Sequence, residues 1–255
     1  MLDKILETKR EELEQFSLPE SQEGMQAVSF FKALSEPNRA LGLIAEVKKA
    51  SPSKGVFKET LDPVDVGRHY ESGGADAISV LTDRSYFQGS HENLIKVKRH
   101  VTLPVIRKDF IIDRRQIEES RRIGADAILL IAAALEPAKL HAFYLEAKEM
   151  GLDALVEVHD EEELEGVLRV FQPDIIGINN RNLKTFETSL SVTERILPKV
   201  PKGSLLISES GVLTPDDVQF LIDLKVSGAL VGEALMRAAT PALGIKQLFG
   251  EDVTV

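Results

Sequence analysis

Gly74-Ala75-Asp76-Ala77-Ile78, Gly124-Ala125-Asp126-Ala127-Ile128 and Gly151-Leu152-Asp153-Ala154-Leu155 are three copies of one device. In each, a glycine lets the chain leave a helix through the left-handed region, an aspartate offers its carboxylate to the turn backbone, and an apolar run starts a strand. Pro173-Asp174 plays the same part before Ile175-Ile176. Six residues beyond these starting points stand Val80, Leu130, Glu157 and Asn179, each near the outgoing end of the next strand.

Outward from these anchors, apolar runs alternate with charged amphipathic segments. The pattern predicts strands over 42–48, 76–82, 104–108, 127–132, 154–158, 175–179, 204–209 and 229–232. Helices are expected over 63–72, 90–99, 114–122, 136–149, 160–170, 189–197, 214–223 and 240–248. Asp62-Pro63, Glu136-Pro137 and Thr214-Pro215-Asp216 place a proline at or near the first turn of three of them. Eight such units predict an α/β chain folded as a (β/α)8 TIM barrel; an open doubly wound sheet alternates in the same way. The repeated register favours closure. The sequence also lacks a Gly-x-Gly-x-x-Gly after its first strand and a Walker-type Gly-Lys-Ser/Thr. Residues 1–40 read as an N-terminal helical extension, with Leu2, Ile5, Leu6, Leu13 and Phe16 at near-helical spacing. Met25, Val28, Phe31 and Leu34 mark a second short helix, and the barrel takes 41–250 of a single 255-residue domain.

Composition narrows the partners. With 31 Lys and Arg against 41 Asp and Glu, the net charge of −10 supplies no basic field for nucleic acid or an anionic membrane surface. There is no cysteine, hence no disulfide and no thiolate metal site. The five histidines (His69, His91, His100, His141, His159) form no ligand-spaced cluster, so no metal is expected. The longest apolar run, Ala127 to Leu135, falls short of the roughly 18–20 residues that span a bilayer. The first dozen residues carry charges throughout, unlike a signal peptide, and a cytoplasmic protein is expected.

A strand buried on both faces is apolar by necessity, so ionisable residues at its tip need a ligand or a partner. Six strands end this way. Glu46 and Lys48 close the first, two apart and on one face, before a polar Pro- and Gly-hinged segment that contains Ser51. A salt bridge before a solvated loop is the plainer reading. Arg107-Lys108-Asp109 ends the third strand, and alternation turns one of its two cations inward. Glu157 ends the fifth, where an ion pair with Lys108 is as natural as catalysis. Asn179, Asn180, Arg181 and Asn182 follow the sixth and offer donors to anions or carbonyls. Glu209-Ser210-Gly211 and Gly232-Glu233 close the last two strands, where barrels commonly cradle phosphate on backbone N–H groups.

Taken in order, these motifs resemble the indole-3-glycerol-phosphate synthase family of tryptophan biosynthesis. The resemblance rests on Ile44-Ala-Glu-Val-Lys-Lys-Ala-Ser-Pro-Ser-Lys-Gly55, Leu81-Thr-Asp-Arg-Ser-Tyr-Phe-Gln-Gly89, Pro104-Val-Ile-Arg-Lys-Asp-Phe110, Leu155-Val-Glu-Val-His159, Ile176-Gly-Ile-Asn-Asn-Arg-Asn-Leu183, Ile207-Ser-Glu-Ser-Gly211 and Val231-Gly-Glu-Ala-Leu235. It implies conversion of 1-(2-carboxyphenylamino)-1-deoxyribulose 5-phosphate to indole-3-glycerol phosphate, carbon dioxide and water, with no organic cofactor and no metal. It implies Lys108 as general acid of ring closure, with Lys48 and Glu157 serving the later steps. Glu46, Asn179 and Glu209 would orient the lysines and sugar hydroxyls, and Lys48 and Arg181 would meet substrate anions. Phosphate would sit on Ser51, Gly211, Gly232 and the Glu233 amide, and Ser210 would bind substrate. Phe87, Phe110 and Leu183 would line the aryl pocket. The family often has serine where this chain has Glu233, so that carboxylate should turn outward. The N-terminal helices would help cover the barrel mouth. The phosphorylated small molecule is the partner so implied, with transient contact to neighbouring pathway enzymes beside it. A sugar-phosphate isomerase, and a barrel that binds phosphate ligands without turnover, are the alternatives.

Overall fold

The computed structural model describes residues 1–52, 55–57, 60–182 and 185–251. Eight parallel strands form a closed barrel: β1 (Gly42–Val47), β2 (Ala77–Leu81), β3 (Val105–Lys108), β4 (Ala127–Ile131), β5 (Asp153–Val158), β6 (Ile175–Asn179), β7 (Leu205–Glu209) and β8 (Gly228–Val231). Closure is visible at β1, which pairs with β2 through Ile44 and Ala77 and with β8 through Gly42 and Gly228. The open-sheet alternative is excluded. Each strand end lies within one residue of the predicted one.

Strand side chains alternate between two cores. Ile44, Ala77, Ile106, Leu155, Ile175 and Ile207 fill the barrel interior, while Leu43, Ile78, Val80, Val156 and Ile178 pack beneath the helices. Burial on both faces is why these strands read as unbroken apolar runs. The start signals act as expected: Asp62 accepts from the Val64 and Asp65 amides, and Thr214 with Asp217 forms a capping box. The glycine exits are also as expected, with Gly74, Gly124 and Gly151 at φ of 81°, 87° and 76°.

The aspartates of that device do something else. Asp76 accepts from the amides of Leu43 and Asn38, and Asp126 from those of Val105 and Val28. Asp153 accepts from the Phe31 amide. Each carboxylate therefore leaves its own turn and ties the N-terminal segment to the strand-starting end of the barrel. The second helix is correspondingly shorter and later than predicted, α2 (Phe30–Ser35), and begins beyond Met25 and Val28. It plugs the bottom, with Phe30 and Leu34 buried in the interior core. Only the first helix, α1 (Leu2–Glu14), reaches the mouth, which corrects the expectation that both would cover it.

Candidate active site

At the carboxyl ends of the strands lies a cavity of about 380 Å³, within the usual range for small-ligand sites. Glu46 and Lys48 reach it from β1, Ser51 from the segment that follows, and Phe87 from the loop after β2. Lys108 and Phe110 come from the end of β3, Glu157 from β5, and Asn179 and Arg181 from β6. Glu209, Ser210 and Gly211 enter from β7, and Gly232 and Glu233 from β8. Leu183 lies outside the described residues. Met1, with Leu2 and Ile5 of α1, closes one side.

Lys108 is the hub. Its Nζ donates to Glu157 Oε2 at 2.9 Å and to Glu209 Oε2 at 2.8 Å. Alternation left Arg107 and Lys108 undecided, and the structure sends Arg107 the other way. There it lies buried behind β3, donating to Thr82, Ser120 and Asp109 and paired with Glu119. Lys48 pairs with Glu46, so the plainer salt-bridge reading is correct as geometry, yet both groups line the cavity. Asn179 accepts from the Arg181 amide through Oδ1.

The charges explain one another. Burial alone pulls the Lys108 ammonium towards losing its proton, but Glu157, Glu209 and Glu46 overcome that and hold it charged, above the ordinary lysine value. Two carboxylates on one ammonium then diverge. Burial pushes both up; Glu157, with Lys108 and His159 as cationic neighbours, ends well below its ordinary value. Glu209 has Lys108 alone, faces Glu157, and carries a buried Oε1 with no partner, so burial pushes it above the usual carboxylate range. A buried pair split in this way is what acid–base chemistry requires.

At the other side, β7 ends with Ser210 and Gly211 both at positive φ, 67° and 90°. Ser210 stores about 1–3 kcal/mol of strain there. Buried Asn180 holds that turn, donating through Nδ2 to Glu209 O, Ser210 O and Ser208 Oγ and accepting from Thr193. Gly232 stands at the N-cap of the short helix Glu233–Arg237 after β8. A Cβ at Gly232 would stand 2.6 Å from Glu46 Oε2, so a side chain there would displace the Glu46–Lys48 ion pair. The Glu233 carboxylate accepts from Arg237 Nε at 3.1 Å, along its own helix.

Comparison with known proteins supplies the deciding observation. The family described as Indole-3-glycerol phosphate synthase matches residues 2–248. Proteins of that name from Halalkalibacterium halodurans and Priestia megaterium are 56% and 58% identical over 250 and 251 residues. The alignments cover 98% of this chain in both cases and 97% and 98% of the relatives. The chain belongs to the indole-3-glycerol phosphate synthase family.

Its reaction is accordingly that of a carboxy-lyase in tryptophan biosynthesis: ring closure, decarboxylation and dehydration of the carboxyphenylamino-deoxyribulose phosphate. A phosphorylated small molecule is the substrate, and the isomerase and non-catalytic alternatives fall. A tryptophan synthase α-subunit variant from Pyrococcus furiosus superposes with a TM-score of 0.63 at 16% identity, covering 82% of this chain and 98% of that one. A thiamine phosphate pyrophosphorylase from the same organism gives 0.60 at 17%, covering 82% and 94%. At such identities these likenesses show the barrel alone. No described helix is long and apolar enough to cross a membrane, and no described cluster of three or more His, Asp or Glu is arranged to hold a metal ion.

The synthase-family motifs did not reveal two residues that pack beside this site. Lys9 of α1 is only 5% exposed and lies 3.1 Å from both Asp83 and Asp109, joining the N-terminal helix to the residue that follows Lys108. Phe57 packs against two cations, its ring centroid 5.6 Å from Lys48 Nζ and 5.3 Å from the Arg237 guanidinium carbon. A lysine at an otherwise apolar helix position was the available signal for Lys9; nothing in the text of the chain marks Phe57.

Proposed function

We propose that Lys108 is the general acid of ring closure and Glu157 the base that completes the indole. The carrying observation is the Lys108 ammonium held between Glu157 and Glu209 on the cavity floor. As the aryl carbon bearing the carboxylate attacks the ribulose C2 carbonyl, Lys108 protonates the carbonyl oxygen. Loss of carbon dioxide then restores the benzene ring. In the last step the new hydroxyl leaves as water with a proton from Lys48. Glu157 removes a proton from the neighbouring methylene, which makes the five-membered ring aromatic.

Phe87 and Phe110, with ring centroids 6.1 Å apart, form the wall against which the aryl group rests. Such positioning contributes several kcal/mol, up to roughly 7–11 in the best-oriented cases. Ser51, Gly211, Gly232 and the Glu233 amide receive the phosphate, Ser210 shapes that turn, and Arg181 and Lys48 meet the substrate's anions. Glu46, Asn179 and Glu209 orient the lysines and the sugar hydroxyls. No cofactor enters these steps. A cytoplasmic location and transient contact with neighbouring pathway enzymes belong to the same proposal, supported by the biosynthetic role.

The test is a fluorescence time course on Lys108→Ala. The chain contains no Trp, so indole emission rises against a weak background. Turnover should fall at least about 100-fold with the circular dichroism spectrum unchanged. Near-normal turnover would reject the acid assignment.

A further inference from the structure

At the end of β5 the chain runs out through Glu157-Val158-His159, and the His159 ring stands against the Glu157 carboxylate. Its side chain is 9% exposed and does not line the cavity, so substrate does not touch it. Nε2 lies 3.3 Å from Glu157 Oε1, the oxygen that Lys108 leaves unused, as an ion-pair contact outside hydrogen-bond geometry. Nδ1 lies 3.2 Å from Glu163 Oε2. Glu163 is itself anchored on the following helix, Glu161–Leu168: its amide donates to Asp160 Oδ1 at 2.9 Å, and its Oε2 accepts from the His159 amide at 2.8 Å.

Both ring nitrogens therefore face oxygens that only accept. A neutral imidazole has one N–H and would turn a lone pair on one of the two carboxylates; the imidazolium hydrogen-bonds Glu163 and sets its charge against Glu157. Burial alone lowers the ring's pKa, but Glu157 and Glu163, the charged groups facing it, raise it to about 10. The consequence concerns timing. When Lys108 gives up its proton in ring closure, Glu157 loses one cation. A second cation beside it, His159, remains.

We propose that His159 is the positioning residue of Glu157: clamped by Glu163, it sets a cation against Oε1 and keeps the carboxylate ionised and aimed while Lys108 is neutral. This rests on the reading of Glu157 as the base.

The experiment compares His159→Gln, His159→Ala and Glu157→Gln in the full chain, measuring kcat, KM, product affinity and the pH profile of kcat. Gln can still donate one hydrogen bond but carries no charge. In both His159 variants kcat should fall about 10- to 100-fold, with KM and affinity for indole-3-glycerol phosphate within about twofold. The acid limb of the profile should move to higher pH, because Glu157 takes up a proton more readily without the imidazolium. If Glu157→Gln is inactive but His159→Gln keeps wild-type kcat and an unmoved acid limb, the positioning role is overturned and the base assignment stands. If Glu157→Gln turns over normally, both are overturned. Should His159→Ala fail to fold, His159→Gln decides the matter by the same two readouts.

Discussion

Gly177 on β6 and Glu209 on β7 fit side by side only because one of them lacks a side chain: a Cβ at Gly177 would stand 2.2 Å from Glu209 Oε1. The glycine in Ile176-Gly-Ile178 thus makes room for a carboxylate on the neighbouring strand, and that carboxylate is one of the two that hold Lys108. Gly177→Ala should drive Glu209 off Lys108 and lower kcat by about tenfold or more. Overpacking should cost about 1–3 kcal/mol of stability. Steady-state kinetics beside urea unfolding will check this; an alanine variant with wild-type kcat would mean that Glu209 does not need its present position.

Lys9 is the one side chain of α1 paired with the carboxylates of both Asp83 and Asp109. Removing one partner from a buried ionic cluster strands the others, and Lys9→Ala should cost about 3–5 kcal/mol. Because Leu2 and Ile5 of the same helix line the cavity, KM should rise as well. Chemical denaturation and substrate titration read the two effects separately.

His159 also sets an alkaline limit on stability. Its folded-state pKa, about 10, stands above the unfolded value near 6.5. A raised value means that the stabilisation is complete below the unfolded pKa and disappears as pH climbs through the folded one. Wild-type stability should therefore decline between about pH 6.5 and about 10, and His159→Gln should flatten that decline. Thermal melts across this window, at constant ionic strength, give the comparison.

The strand tips were legible because parallel strands buried on both faces tolerate no stray charge, so Glu46, Lys108, Glu157 and Glu209 stood out from apolar surroundings. Helix starts were legible because Asp62-Pro63 and Thr214-Pro215 act within one turn of the chain. Partners distant in sequence were not legible. Asp76, Asp126 and Asp153 read as turn residues, yet they bind amides 122 residues away in the case of Phe31 and Asp153. Asn180 read as one of four polar residues offered to a ligand; it is buried and ties the ends of β6 and β7 together. Arg107 and Lys108 had equal claims until the barrel gave each strand face an inside and an outside.

By itself the sequence determined the alternation of strand and helix, the closure implied by repeated register, and the set of charged residues at the strand ends. These follow from local backbone preference and from the apolar demand of a two-sided core. Tertiary structure alone decided which charges meet: Lys108 with Glu157 and Glu209, His159 with Glu157, Lys9 with Asp109. Pairing energies depend on distance and on exclusion of water, and both exist only once strands far apart in the chain have been brought to one end of the barrel.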